Sequence, residues 1–239
     1  MKILCLLTIL VFCVSVATAE ETFFSALESQ ADVEKEGGTV DGGSFEPGKF
    51  GHGFVSKEAG DVIHFPVEDR FINLDEGTVE LWITMGLDTS TITGELFMFM
   101  TYKRGTDAVF LQFNNNGIAQ MRIKSANSWH NASSEPLNWK KGEHHHVAGT
   151  WGPDGLKLYL DGELEGEDDF KEGPTVFAET FEINNASPPS PNFPTNCVVD
   201  GLRLSDHQKE PGEFVMDDPA PVQPTGKLTT TWARIKRTN

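Results

Sequence analysis

The chain has 239 residues, 36 of them acidic and 19 basic, for a formal charge of −17. That balance argues against a nucleic-acid partner, because neutralising a phosphate backbone takes clustered Lys and Arg. It suits a soluble surface and attracts cations such as calcium. Three cysteines allow at most one disulfide, so a sizeable core or a metal must hold the chain.

Met1-Lys2, an apolar run from Ile3 to Val16 and then Ala17-Thr18-Ala19 read as a secretory signal peptide over residues 1–19, with an A-x-A cleavage site. The run is shorter than the roughly 20 residues of a membrane span. No later stretch is apolar enough to replace it, so no membrane insertion of the mature chain is expected. Phe12 before Cys13 is too bulky for a lipid-anchoring signal. The expected location is secreted and extracellular, or periplasmic or at the cell surface in a bacterium. Cys5 and Cys13 leave with the signal, so Cys197 has no internal disulfide partner.

From Phe23 to Leu204 the apolar residues fall in short alternating runs broken by Gly, Pro, Asn and Asp, the pattern of an antiparallel all-β chain. Predicted strands run over 23–27, 62–65, 78–84, 96–101, 108–113, 118–123, 144–151, 156–160, 180–183 and 198–204. Two hairpins are marked by turn chemistry: Asn-Gly in "VFLQFNNNGIAQMRI", and Pro153-Asp154-Gly155 then Asp161-Gly162 in "WGPDGLKLYLDGEL". The expected domain covers residues 20–206. Residues 207–239 read as a Pro-rich acidic linker that buries little, followed by a basic tail in which Leu228, Trp232 and Ile235 could form a small apolar stripe.

Four segments, in order, resemble the LamG-like jelly-roll domains of the concanavalin A-like lectin/glucanase superfamily: "EPGKFGHGFVSKEAGDVIHFP", "LDEGTVELWITM", "EHHHVAGTWGPDGLKLYLDGEL" and "CVVDGLRLSD". Together they span Glu46 to Asp206. The resemblance implies two antiparallel sheets packed face to face, with Trp82 as a core residue. It does not settle function, because the superfamily includes lectins, glycosidases, adhesion domains and accessory modules.

The triple histidine invites a metal reading, but neighbours on a strand point to opposite faces, so His144 and His146 share one side and His145 faces the other. The family comparison makes them packing and hydrogen-bonding residues. No G-x-S-x-G nucleophile turn is present. Glucanases of this fold carry E-x-D-x-x-E on a strand; the nearest match, Glu163, Glu165 and Asp168 in "ELEGED", has the wrong residue types, and Gly166 is expected to interrupt the strand. No catalytic residue is therefore assigned.

The resemblance also implies a structural calcium held by Asp200 of "VVDGLRL" with Glu28 as its acidic partner, although the family more often has Asp there. The acidic stretch Glu165, Glu167, Asp168 and Asp169 is a weaker candidate. For ligand binding, a ring beside polar groups points to Trp129, with His130 and Asn131, in "SANSWHNASS"; Trp139 and Trp151 are alternatives. Asn131-Ala-Ser133 and Asn185-Ala-Ser187 are glycosylation sequons in a eukaryotic setting. The expected function is a secreted, non-catalytic recognition domain for carbohydrate or glycoconjugate. An extracellular protein-interaction or adhesion module, and then a glycoside hydrolase, are the alternatives.

Overall fold

The structure, a computed structural model, describes residues 21–68, 71, 73–103, 107–185 and 195–217, without the Asn185 side chain. The signal-peptide segment, the basic tail and most of the second sequon lie outside the described residues. Fifteen strands, one short α-helix and three single-turn 3-10 helices are present among them. The strands and the α-helix are β1 (Glu21–Ser25), α1 (Gln30–Lys35), β2 (Thr39–Asp41), β3 (Ser44–Pro47), β4 (His52–Val55), β5 (Val62–Pro66), β6 (Gly77–Thr84) and β7 (Leu96–Tyr102). The remainder are β8 (Ala108–Asn114), β9 (Ile118–Ser125), β10 (Ser128–Ser133), β11 (His144–Trp151), β12 (Leu156–Leu160), β13 (Glu163–Asp168), β14 (Thr180–Asn185) and β15 (Val198–Ser205).

These strands form two antiparallel sheets packed as a jelly-roll sandwich. One runs β13-β12-β11-β6-β15-β4-β3, with β1 also on β15, and the other runs β10-β9-β8-β7-β14-β5-β2. Alternation decides what fills the space between them: Val79, Leu81 and Ile83 of β6 are fully buried in the core, while Glu80, Trp82 and Thr84 point outward. The centre is aromatic, with Phe23, Phe65 and Phe181 in mutual contact at centroid distances of 5.1–5.3 Å and Phe99 stacked on Phe181 at 5.6 Å. Each such ring contributes about 1.5–3 kcal/mol through burial. Cys197 is buried here, and loss of solvation pushes its thiol up to about 11.

The predicted strands are present, with ends shifted by up to two residues. Sequence periodicity overlooked β2, β3, β4, β10 and β13, which are short or polar edge elements, and α1, capped by the Ser29 hydroxyl accepting from the Asp32 N–H at 3.3 Å. Both marked turns use positive φ, at Asn116 and Gly117 and at Asp161 and Gly162. Gly166 does not interrupt β13. A methyl group there would fall 2.5 Å from the Ser133 backbone, so glycine lets the two sheet edges β13 and β10 close on each other.

Residues 207–217 bury more than their composition suggests. They cross the outer face of the eight-stranded sheet as a strap, with Lys209 5% and Phe214 7% exposed. Thr78 Oγ1 donates to the His207 carbonyl at 2.8 Å and accepts from the Lys209 N–H at 3.0 Å. Phe214 packs edge-on against Tyr159 at 5.0 Å. Beneath the strap lies Glu80, 1% exposed, which takes Lys209 Nζ on one oxygen and His146 Nε2 (3.1 Å) with the Val215 N–H (3.1 Å) on the other. Burial would raise this carboxyl, but the bond to His146 and the charge of Lys209 outweigh it and hold it below its ordinary value. Trp82 is buried under this strap, between Phe50 and His146, rather than between the sheets.

Candidate functional site

The outer face of the seven-stranded sheet has an ordered surface. Its register places Thr39, His64, Glu182, Met100, Phe110, Arg122 and Asn131 in one row across all seven strands. On one side of this row lie Tyr102, Ala108, Lys124 and Trp129, and on the other Phe97, Gln112, Gln120 and Ser133. The middle is apolar, because Phe97, Met100, Ala108 and Phe110 form a second buried cluster with Tyr102 against it. At the β10 side the Trp129 ring is 41% exposed, rests on Phe110 at 5.5 Å, and has the Arg122 guanidinium 4.4 Å from its centre.

Arg122 is fixed from two further directions, donating from Nε to Asn131 Oδ1 at 2.7 Å and from a terminal nitrogen to Glu95 at 3.0 Å. Beside it Gln112 donates to Gln120 at 3.2 Å, and Gln120 donates to the Ser133 hydroxyl at 2.9 Å. Gln112 Oε1, fully buried, has no partner among the described residues. At the opposite end His64 stands 3.4 Å from both Glu182 and Asp41, and the hydrogen bond to Glu182 raises its pKa against the opposing effect of burial.

The three residues expected to bind ligand do not share one surface. Trp129 and Asn131 lie on the outer face, whereas His130 points to the other side of β10. There its ring stacks on Phe170 at 3.8 Å and 13°, with Nδ1 3.6 Å from Asp168. It lines an open cleft of about 600 Å³ together with Ser125, Ser128, Asp168, Asp169 and Lys171. Sequence reasoning missed Phe110, Arg122, Lys124 and Glu95. The signal for Phe110 was the double-sided apolar run "LFMFMTY" followed by "AVFLQF", which marks a sheet buried on one face and clustered on the other; Arg122 and Lys124 alternate with apolar residues in "MRIK" on the next strand.

Asp200 and Glu28 converge on the turn joining β3 and β4. Asp200 Oδ2 accepts from the N–H groups of Lys49 (2.6 Å) and Phe50 (3.4 Å), and Glu28 Oε2 accepts from that of His52 (2.9 Å). The glycines of this turn make room: a side chain on Gly48 would collide with Asp200, and one on Gly51 with Glu28. Asp200 is 1% exposed and its Oδ1 has no partner among the described residues. Burial pushes its carboxyl up to about 7 against the two backbone N–H groups, and the Glu28 charge adds to the rise. The turn thus gathers two carboxylates, the oxygen chemistry a hard cation takes, but among the described residues no group of three or more His, Cys, Asp or Glu side chains that could hold a metal is present.

The remaining residues singled out from the sequence have other surroundings. His146 Nε2 faces Glu80 and His144 Nδ1 faces Thr84 at 2.7 Å, while His145 stacks on Trp139 at 3.7 Å with Nδ1 2.8 Å from Asp161 on the other side of β11. Trp151 sits in the core. Glu163 and Glu165 are exposed on edge strand β13, and Asp168 accepts from the Asn131 and Phe170 N–H groups.

Comparison with known proteins agrees with this architecture. The family profile of the concanavalin A-like lectin/glucanases superfamily matches residues 57–213, well over half of the chain, and the protein belongs to that superfamily. No curated protein matches in sequence. Among solved structures, domain 4 of AbnA, an extracellular arabinanase from Geobacillus stearothermophilus in complex with arabinotriose, is similar at 18% identity and TM-score 0.62, covering 81% of this chain and 96% of that one. The botulinum neurotoxin serotype G binding domain is similar at 10% identity and TM-score 0.61, covering 81% of this chain and 49% of that one. The serotype D ligand-binding domain in complex with N-acetylneuraminic acid is similar at 15% identity and TM-score 0.56, covering 73% of this chain and 44% of that one. The protein thus spans less than half the length of these two toxin chains. At these identities the likeness concerns the fold.

Proposed function

We propose that this protein is a secreted, non-catalytic recognition domain that binds carbohydrate or glycoconjugate on the outer face of its seven-stranded sheet. The observation that carries this reading is the exposed Trp129 ring, backed by Phe110 and Arg122, with Asn131 and Lys124 on the same face. Sugar rings stack on such platforms while fixed polar groups take their hydroxyls. Arg122 is already held by Glu95 and Asn131, so it enters binding without further loss of rotamer freedom. Support comes from superfamily membership and from the fold's use by an arabinotriose-bound domain and an N-acetylneuraminic acid-bound domain. The leader-like segment 1–19 supports the secreted location.

Calcium is proposed as a structural cofactor held by Asp200 and Glu28, where its charge would relieve the repulsion between the two carboxylates and its coordination would engage the free Oδ1. The binding reading is tested on a glycan array. Signal for the wild type that is lost in Trp129→Ala, with unchanged thermal unfolding, supports it; no glycan signal together with a specific extracellular protein partner refutes it. Calcium is tested by unfolding in calcium against EDTA, where an unchanged midpoint excludes a bound structural ion.

A further inference from the structure

We infer that the ligand is an extended glycan chain that lies on Trp129 and continues around the end of β10 into the cleft beside His130. The inference rests on the carbohydrate reading above. β10 is the last strand of its sheet, and Trp129 and His130 are successive residues, so their rings open onto the two faces of one edge. β9 and β10 are joined by the two-residue turn Ala126-Asn127, with φ of 47° and 69°. Ala126 and Asn127 are both exposed, so a chain rounding this corner of the sheet can pass from one face to the other.

The far side is built to receive such a chain. The cleft of about 600 Å³ is bounded by the turn on one wall and by the segment following β13 on the other. At its base the His130 and Phe170 rings are stacked, and Asp168 holds both in place: its oxygens accept the N–H groups of Asn131 (3.3 Å) and Phe170 (3.0 Å), with His130 Nδ1 3.6 Å away. His130 is thereby locked with Nε2 unpartnered among the described residues, and the Ser128 side chain lies on the same side of the strand. A fixed stacked ring, a nitrogen and a hydroxyl form the same kind of combination that Trp129, Arg122 and Asn131 form on the other face. Two such contacts on one ligand bind more tightly than either alone, because the second is made at high effective concentration.

The test is an array carrying linear arabinan, xylan, β-glucan and sialylated lactosamine backbones, each in lengths from monosaccharide to hexasaccharide. The wild type is expected to show about tenfold stronger binding to the hexasaccharide than to the disaccharide of its preferred backbone. Ser128→Tyr, at an exposed position that fills the mouth of the cleft, and His130→Ala are each expected to abolish this gain while leaving disaccharide binding intact. Should His130→Ala fail to fold, Ser128→Tyr decides alone. Equal binding at all lengths, or a gain that survives Ser128→Tyr, overturns the extended site and leaves the Trp129 face standing. Absence of any Trp129-dependent binding at every length overturns both.

Discussion

Asp200 of β15 and Glu28, from opposite ends of the domain, place their carboxylates on one turn, Gly48–His52, and Asp200 is left with one oxygen unpartnered among the described residues at 1% exposure. A folded-state pKa raised above the unfolded value means that the contribution of this group is fully present below its ordinary 3.8 and is lost as pH rises through about 7. In EDTA the protein is therefore expected to lose up to about 4 kcal/mol of stability between these limits. Urea unfolding against pH checks this, and Asp200→Asn should flatten that part of the profile.

Glu80 neutralises Lys209 under the strap, and removing one partner leaves the other buried and unpaired. Glu80→Gln is expected to destabilise by about 3–5 kcal/mol. Glu80→Gln combined with Lys209→Met should recover most of that loss. A cost below about 1 kcal/mol for the single variant would assign the strap's hold to Phe214 and the backbone bonds instead.

Gly166 faces the Ser133 backbone where the two sheet edges meet. Gly166→Ala should cost about 1–3 kcal/mol, since neither backbone can move without shifting a sheet. Thermal unfolding reads this directly. The same variant, by displacing β13 from β10, should also perturb the Asp168 contacts to Asn131 and Phe170.

His64 titrates above 6.5, because Glu182 and Asp41 favour its charged form more than burial disfavours it. Its stabilising contribution is complete below 6.5 and disappears as pH rises through the raised folded value. A ring-proton NMR titration should place the midpoint above 6.5, and His64→Gln should reduce the loss of stability on going from mildly acid to alkaline pH.

Most of the sandwich was legible in the alternation from β5 to β15, because one face of each strand is buried and turn chemistry marks the breaks. The strand β10 was not. Its sequence, Ser-Trp-His-Asn-Ala-Ser, lacks the β-branched residues of a typical strand, and only pairing with β9 makes it one. Once it is a strand, Trp129 and His130 must separate, which grouping them as neighbours in a loop conceals. The strap was equally hidden: its Pro-rich, charged composition reads as solvated, and its fit depends on Glu80, a partner 129 residues away in the chain. Asp200 was found through family likeness, whereas its orphaned oxygen could be seen only in three dimensions.

β15 is the last of the described strands to be synthesised, yet it lies inside its sheet, with β1, β4 and β6 all pairing to it. Until Ser205 has been made, β1 has no sheet partner and β4 and β6 each lack their neighbour on one side. Long-range pairing of this kind folds slowly, in roughly milliseconds to seconds. The central seam of the sheet is therefore the last to close, as a late, cooperative event rather than strand by strand during synthesis.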